Sequence, residues 1–98
     1  MAHSADSLSM AQRLKICDQL QSAIPALEEL LSHSDDILRD LALESLLYIG
    51  VEAKKSNHAN YDSVIEILRK ASSNPYQDVQ KNAPWALEQI EAKTKERR

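Results

Sequence analysis

The side chains that most often carry out chemistry are few and scattered in this chain. Its three histidines, His3, His33 and His58, lie far apart and form no His-x-x-x-His pair of the kind that places two ligands on one helix face. His33 beside Asp35 and Asp36 has the donors for a loosely held metal, but such residues in a polar turn are more often simply solvated. The acid pairs Glu28-Glu29 and Asp35-Asp36 are immediate neighbours. On a helix such side chains diverge by about 100°, so they do not share a proton as an acid–base dyad does. Cys17 is the only cysteine, which excludes an internal disulfide and a cysteine metal site. Its place on an apolar helical stripe predicts a buried small hydrophobe. A single glycine, Gly50, rules out a glycine-rich phosphate loop. The expectation is a protein that is not an enzyme and needs no metal or cofactor.

Binding chemistry is better provided for. Lys54, Lys55, Arg69, Lys70, Lys81, Lys93, Lys95, Arg97 and Arg98 give the second half a basic side that could meet phosphate. Against this, the stretch from Asp18 to Glu52 holds eight acids and one base, Arg39, whereas nine bases and six acids follow from Ala53 onward. So acidic a first half interrupts any continuous phosphate track and argues against nucleic acid as the partner. The same asymmetry suits a charged protein partner, basic where it meets the first half, or head-to-tail association of copies.

These side chains must be positioned by helices. Leu, Ile and Ala dominate the apolar set and there is no Phe, which favours helix over strand. At 98 residues the chain has the length of one domain with a modest core. No apolar run approaches the roughly 20 residues that cross a bilayer, and Met1 to Ser9 lacks an apolar signal-peptide core. The expectation is therefore a cytosolic or nuclear protein, neither secreted nor membrane-bound.

Ser7 or Ser9 can cap a first helix with the stripe Met10, Leu14, Cys17 and Leu20. Pro25 predicts a break near 22–24 and the first turn of a second helix carrying Leu27, Leu30 and Leu31. After the polar turn 32–36, with Ser34 as N-cap, a third helix carries Leu38, Leu41, Ala42, Leu46 and Ile49, and Gly50 reads as its left-handed C-cap. Leu43 and Leu47 make that helix apolar on two sides, as befits the middle of a stack. Residues 51–60 read as a loop. A fourth helix from about Tyr61 to Ala71 turns Tyr61, Val64, Ile65 and Leu68 inward. Asn74 reads as the N-cap and Pro75 as the first-turn proline of a last helix that begins near Tyr76 and buries Val79, Ala83, Ala86, Leu87 and Ile90, with residues 92–98 as a fraying tail. Pro84 inside it should bend or re-cap it.

The pattern repeats. Leu38, Ala42, Leu46 and Ile49 match Val79, Ala83, Leu87 and Ile90 at a constant offset of 41 positions. Ala23, Ile24, Leu27 and Leu30 match Val64, Ile65, Leu68 and Ala71 at the same offset of 41. Two helices per unit and a period of about 40 mark helical repeat arrays. The segment from Ala23 to Gly50, with its proline-started helix, small polar turn and alanine-leucine final helix, resembles one armadillo repeat. Ala83-Pro84-Trp85-Ala86-Leu87, followed by the amide of Gln89, is similar to that family's final-helix pattern. The resemblance to the armadillo and HEAT families implies an all-α, right-handed α-α superhelix of about five helices. Repeat one would span about 18–50 and repeat two about 60–91, with the amino-terminal helix as a cap.

It also implies a function. Such stacks bind partners along the last helix of each repeat, which singles out Asp40, Glu44 and Tyr48 in the first and Lys81, Trp85 and Gln89 in the second. Each trio has a spacing of four, so each lies along one side of its helix. Trp85 stands outside the core arc and is the expected anchor, whereas Tyr48, beside Ile37 and Leu41, is expected to be buried with its hydroxyl at the rim. The expectation is a non-catalytic adaptor, regulator or inhibitor that binds a protein or peptide. The alternative is a self-assembling subunit, since arrays usually need about three repeats for stability.

Overall fold

The computed structural model describes residues 9–95, and every regular element among them is helical. Five α-helices follow in order: α1, Met10–Leu20; α2, Ile24–Leu30; α3, Asp36–Ser56; α4, Asn60–Lys70; and α5, Gln77–Thr94. Short 3-10 turns, Gln21–Ala23 and Ala71–Ser73, follow α1 and α4. His3, Ser7, Arg97 and Arg98 lie outside the described residues.

Local chemistry sets most boundaries. Ser9 Oγ accepts the Gln12 amide at 3.1 Å while Gln12 Oε1 accepts the Ser9 amide at 2.9 Å, a reciprocal capping box at the start of α1. Pro25 sits in the first turn of α2, where a missing N–H costs nothing, and the break falls where the proline requires it. Asp35, rather than Ser34, caps α3, its Oδ1 accepting the Ile37 amide at 2.9 Å. Asn74 and Pro75 are not the N-cap and first turn of α5, which begins at Gln77 with Tyr76 as its N-cap; Asn74 Oδ1 instead accepts the Tyr76 amide at 2.9 Å and turns the chain toward the helix.

Helix α3 departs most from expectation. It does not end at Gly50, and 51–60 is not a loop, because the helix continues to Ser56. The left-handed cap is Asn57, with φ of 58°. Its amide bonds to the Lys54 carbonyl and the His58 amide to that of Ala53, at 3.3 and 2.8 Å, the paired bonds of a Schellman ending. Gly50 serves packing instead: a Cβ there would stand 2.6 Å from Ile90 Cδ1 and 3.2 Å from Val64 Cγ1, so its absence lets α4 and α5 close onto α3. The polar run that suggested a loop is the solvated end of the helix, where Lys54 and Lys55 face its negative pole. The tail expectation is corrected in the same way: α5 runs unbroken through Pro84 to Thr94, so Ala92 and Lys93 are helical.

The core centres on α3, which packs against α1, α2, α4 and α5. Ala42, Leu46 and Ile49 of α3 meet Val64 and Leu68 of α4 and Val79, Ala83, Ala86 and Ile90 of α5, all buried. Ala42 and Ala83, equivalent in the sequence pattern, are both buried. Leu41 is exposed rather than part of that arc, and Leu43 takes the buried position. In α1 the expected stripe is rotated, with Met10 and Leu14 outward and Arg13 and Cys17 inward. The reason is polar. Arg13 Nη1 donates to Glu52 of α3, and Cys17 Sγ lies 3.5 Å from Ser56 Oγ, so α1 docks on a hydrogen-bonding strip rather than an apolar one.

The cross-helix pairs fall within a narrow range of sequence separations, 37 to 43 positions. Arg13–Glu52, Cys17–Ser56 and Arg39–Asp78 each span 39 positions, Lys54–Glu91 spans 37, and the Asn60 and Asn74 side-chain amides reach the Cys17 and Leu31 carbonyls 43 positions back. Partner numbers rise together along each pair of helices, so α1, α3 and α5 run parallel to one another.

Candidate interaction surface

Five of the six predicted site residues border one continuous surface between α3 and α5. A hollow of about 460 Å³ is lined by Glu44, Leu47, Tyr48 and Val51 of α3 and by Trp85, Gln89 and Lys93 of α5. A smaller one of about 250 Å³ adjoins it, with Asp40, Leu43 and Glu44 on one side and Asn82 and Trp85 on the other. Trp85 and Glu44 line both hollows. Lys81 is exposed but lines neither.

The indole is 47% exposed, because its position on α5 turns away from the buried arc of Val79, Ala83, Ala86 and Ile90. Across the hollow Tyr48 is 51% exposed, which corrects the expectation that its ring is buried. Ile37 and Leu41, expected to cover it from the same helix, are themselves exposed. Lys93 was assigned to the tail and so missed, although its position continues the spacing of four through Lys81, Trp85 and Gln89. Leu47 and Val51 were also missed as lining residues; Leu47 was read as the helix's second apolar side and Val51 as loop.

Beneath this surface Arg39 ties α3 to α5. Its Nε lies 3.1 Å from Asp78 Oδ2, its Nη1 donates to the His33 carbonyl at 2.7 Å, and its guanidinium stacks 3.9 Å from the Tyr76 ring centroid. The hydrogen bond from Arg39 holds the Asp78 carboxyl below its ordinary range. At the other end of the two helices Lys54 Nζ bonds Glu91 Oε2 at 2.9 Å, which raises the lysine and lowers the glutamate.

The other polar candidates serve the fold. His58 lies in the short loop between α3 and α4, where its Nε2 is 2.8 Å from Asp18 Oδ1 and its Nδ1 accepts the Asn60 amide at 3.0 Å. His33 Nδ1 accepts the Asp35 amide at 3.0 Å. Among the described residues no group of three or more His, Cys, Asp and Glu is placed to hold a metal ion, and no helix is long and apolar enough to cross a membrane. Lys54, Lys55, Lys93 and Lys95 gather where α3 and α5 end, offsetting the negative poles of both helices. Lys70 lies 3.8 Å from Glu28 of α2. Four of the nine bases expected to form a basic side thus share one hollow at the ends of α3 and α5, and Arg97 and Arg98 lie outside the described residues.

No family model matches the chain, and no curated protein or solved structure matches it significantly.

Proposed function

We propose that the chain is a non-catalytic protein-binding module of armadillo or HEAT character, in which α2–α3 and α4–α5 are two repeats capped by α1. The parallel run of α1, α3 and α5 and the near-constant separation of the cross-helix pairs support the repeat reading. The carrying observation for function is the pair of half-exposed aromatics, Tyr48 and Trp85, facing one hollow between the closing helices. Exposed large aromatics beside polar groups are the usual anchors of interface hot spots. The partner is a protein or peptide that seats an apolar group between Tyr48 and Trp85 and meets Asp40, Glu44 and Gln89 around it. Lys81 is exposed and lies outside the hollows.

The test is capture of a binding partner by wild-type and Trp85→Ala proteins. Because the indole is half-exposed, the variant should keep its far-UV circular dichroism. It should also lose its partner by about 2 kcal/mol or more, roughly thirtyfold in affinity. Capture at wild-type strength by a folded variant would remove the proposal. A second reading, self-assembly, is favoured by Met10 and Leu14, which stand exposed on α1. A sedimentation mass that rises with concentration and falls back in a Leu14→Glu variant would select it.

A further inference from the structure

We propose that the groove between the α1–α2 elbow and α3 receives an amphipathic helix whose apolar seam is flanked by lysine or arginine. This rests on the reading of the outward face of α3 as a contact surface, and it names the partner's form and charge at a second place on that face. Ile37, Leu41, Glu44 and Tyr48 follow one another at steps of four, three and four, the spacing of a coiled-coil seam. The three large apolar side chains among them are 66%, 53% and 51% exposed. Alongside runs a hollow of about 420 Å³ with a mostly carbon lining, to which Leu20, Ala23 and Leu27 contribute from the elbow and Leu41, Tyr48 and Ile49 from α3. Glu44 and Tyr48 form the ridge between this groove and the Trp85 hollow.

A helical occupant fits the periodicity. Knobs at steps of three and four recur about every 5 Å along α3, matching the turns of a partner helix, whereas alternate side chains of an extended peptide recur at about 7 Å. The seam from Ile37 to Tyr48 is about 16 Å long, three turns of such a helix.

Charge selects the kind of helix. Glu44 lines the groove, Asp36 and Asp40 are exposed close to the seam, Asp40 on the side facing α5, and the one base on this part of α3, Arg39, is committed to Asp78 and the His33 carbonyl. A second copy laid antiparallel along the seam would set these acids against their own equivalents and be repelled. A helix with basic flanking positions meets them with opposite charge.

The experiment is selection of random peptides of about 16 residues displayed against the wild-type protein, followed by fluorescence anisotropy of the enriched peptides with wild type, Leu41→Lys and Trp85→Ala. Leu41 is half-exposed, and far-UV circular dichroism of the variant checks that it folds. The expected peptides carry apolar residues every three or four positions with Lys or Arg beside them. They should lose about tenfold or more in affinity with Leu41→Lys and less than about threefold with Trp85→Ala. Enriched sequences that are acidic, that contain helix-breaking prolines, or that bind Leu41→Lys like wild type would overturn the inference. Dependence on Trp85 alone would leave the α3–α5 surface standing and sink the helix groove; dependence on neither would sink both. Failure of any peptide to enrich would also overturn it, and a sedimenting dimer abolished by Leu41→Lys would assign the groove to a second copy.

Discussion

Arg39 shows how much one side chain does here. It bridges α3, the turn before it and α5 through Asp78, the His33 carbonyl and the face of Tyr76. Replacing it with alanine removes all three contacts from a buried position, and Arg39→Ala should lose about 1–3 kcal/mol in denaturant unfolding. The same pair predicts a pH dependence. Asp78 has a lowered carboxyl pKa, chiefly through the Arg39 hydrogen bond, and Glu91 is lowered by Lys54. A depressed carboxylate stabilises the folded chain above its unfolded value and loses that contribution as pH falls through its folded value. Wild type should therefore lose stability below about pH 4, and the gap between wild type and Asp78→Asn should close there. A gap that is constant down to about pH 2 would mean the pair contributes nothing. Arg39 was legible only as the single base in an acidic stretch. Its partner Asp78 lies 39 positions on, beyond any local pattern.

Helix-level reading succeeded where a residue had one role and failed where it had two. Ser9 caps α1 and Pro25 opens α2 as expected, whereas Asn74 holds the turn before α5 without capping it. Gly50 was read as a cap because glycine commonly ends helices, yet its φ is not positive and its value is the space it leaves for Ile90. Gly50→Ala should gain about 1 kcal/mol of helix propensity but lose more to overpacking, for a net destabilisation of about 1 kcal/mol. Ile90→Val removes the methyl that would clash, so the double variant should be more stable than the sum of the two single effects. A stabilised Gly50→Ala protein would contradict the close approach. Pro84 lies in the exposed interior of α5 and leaves the Gln80 carbonyl without its helical donor. Pro84→Ala should accordingly raise thermal stability, by up to about 3 kcal/mol at the midpoint.

At the scale of the molecule, the polar contacts that join the helices link residues 37 to 43 positions apart. All-helical character and the central place of α3 could be read from periodicity, since a helix apolar on two sides must be covered on both. The orientation of α1 could not, because a buried arginine and a cysteine near a serine replace the apolar stripe that periodicity detects. The outward face was half legible. Trp85 was identified by its angle from the core arc, whereas Tyr48 and Leu41 were assigned inward because hydrophobicity alone does not distinguish a core from a contact surface.

A partner protein seated on that outward face would lie within reach of both Tyr48 and Trp85. The most direct test of this seating puts a photo-crosslinking phenylalanine analogue in place of Trp85, Tyr48 or, as control, Glu66, which is exposed on α4 and lines none of the hollows beside α3. Irradiation in extract followed by mass spectrometry should yield the same dominant protein adduct from the first two positions and not from the third. Adducts equal at all three, or strongest from position 66, would contradict it.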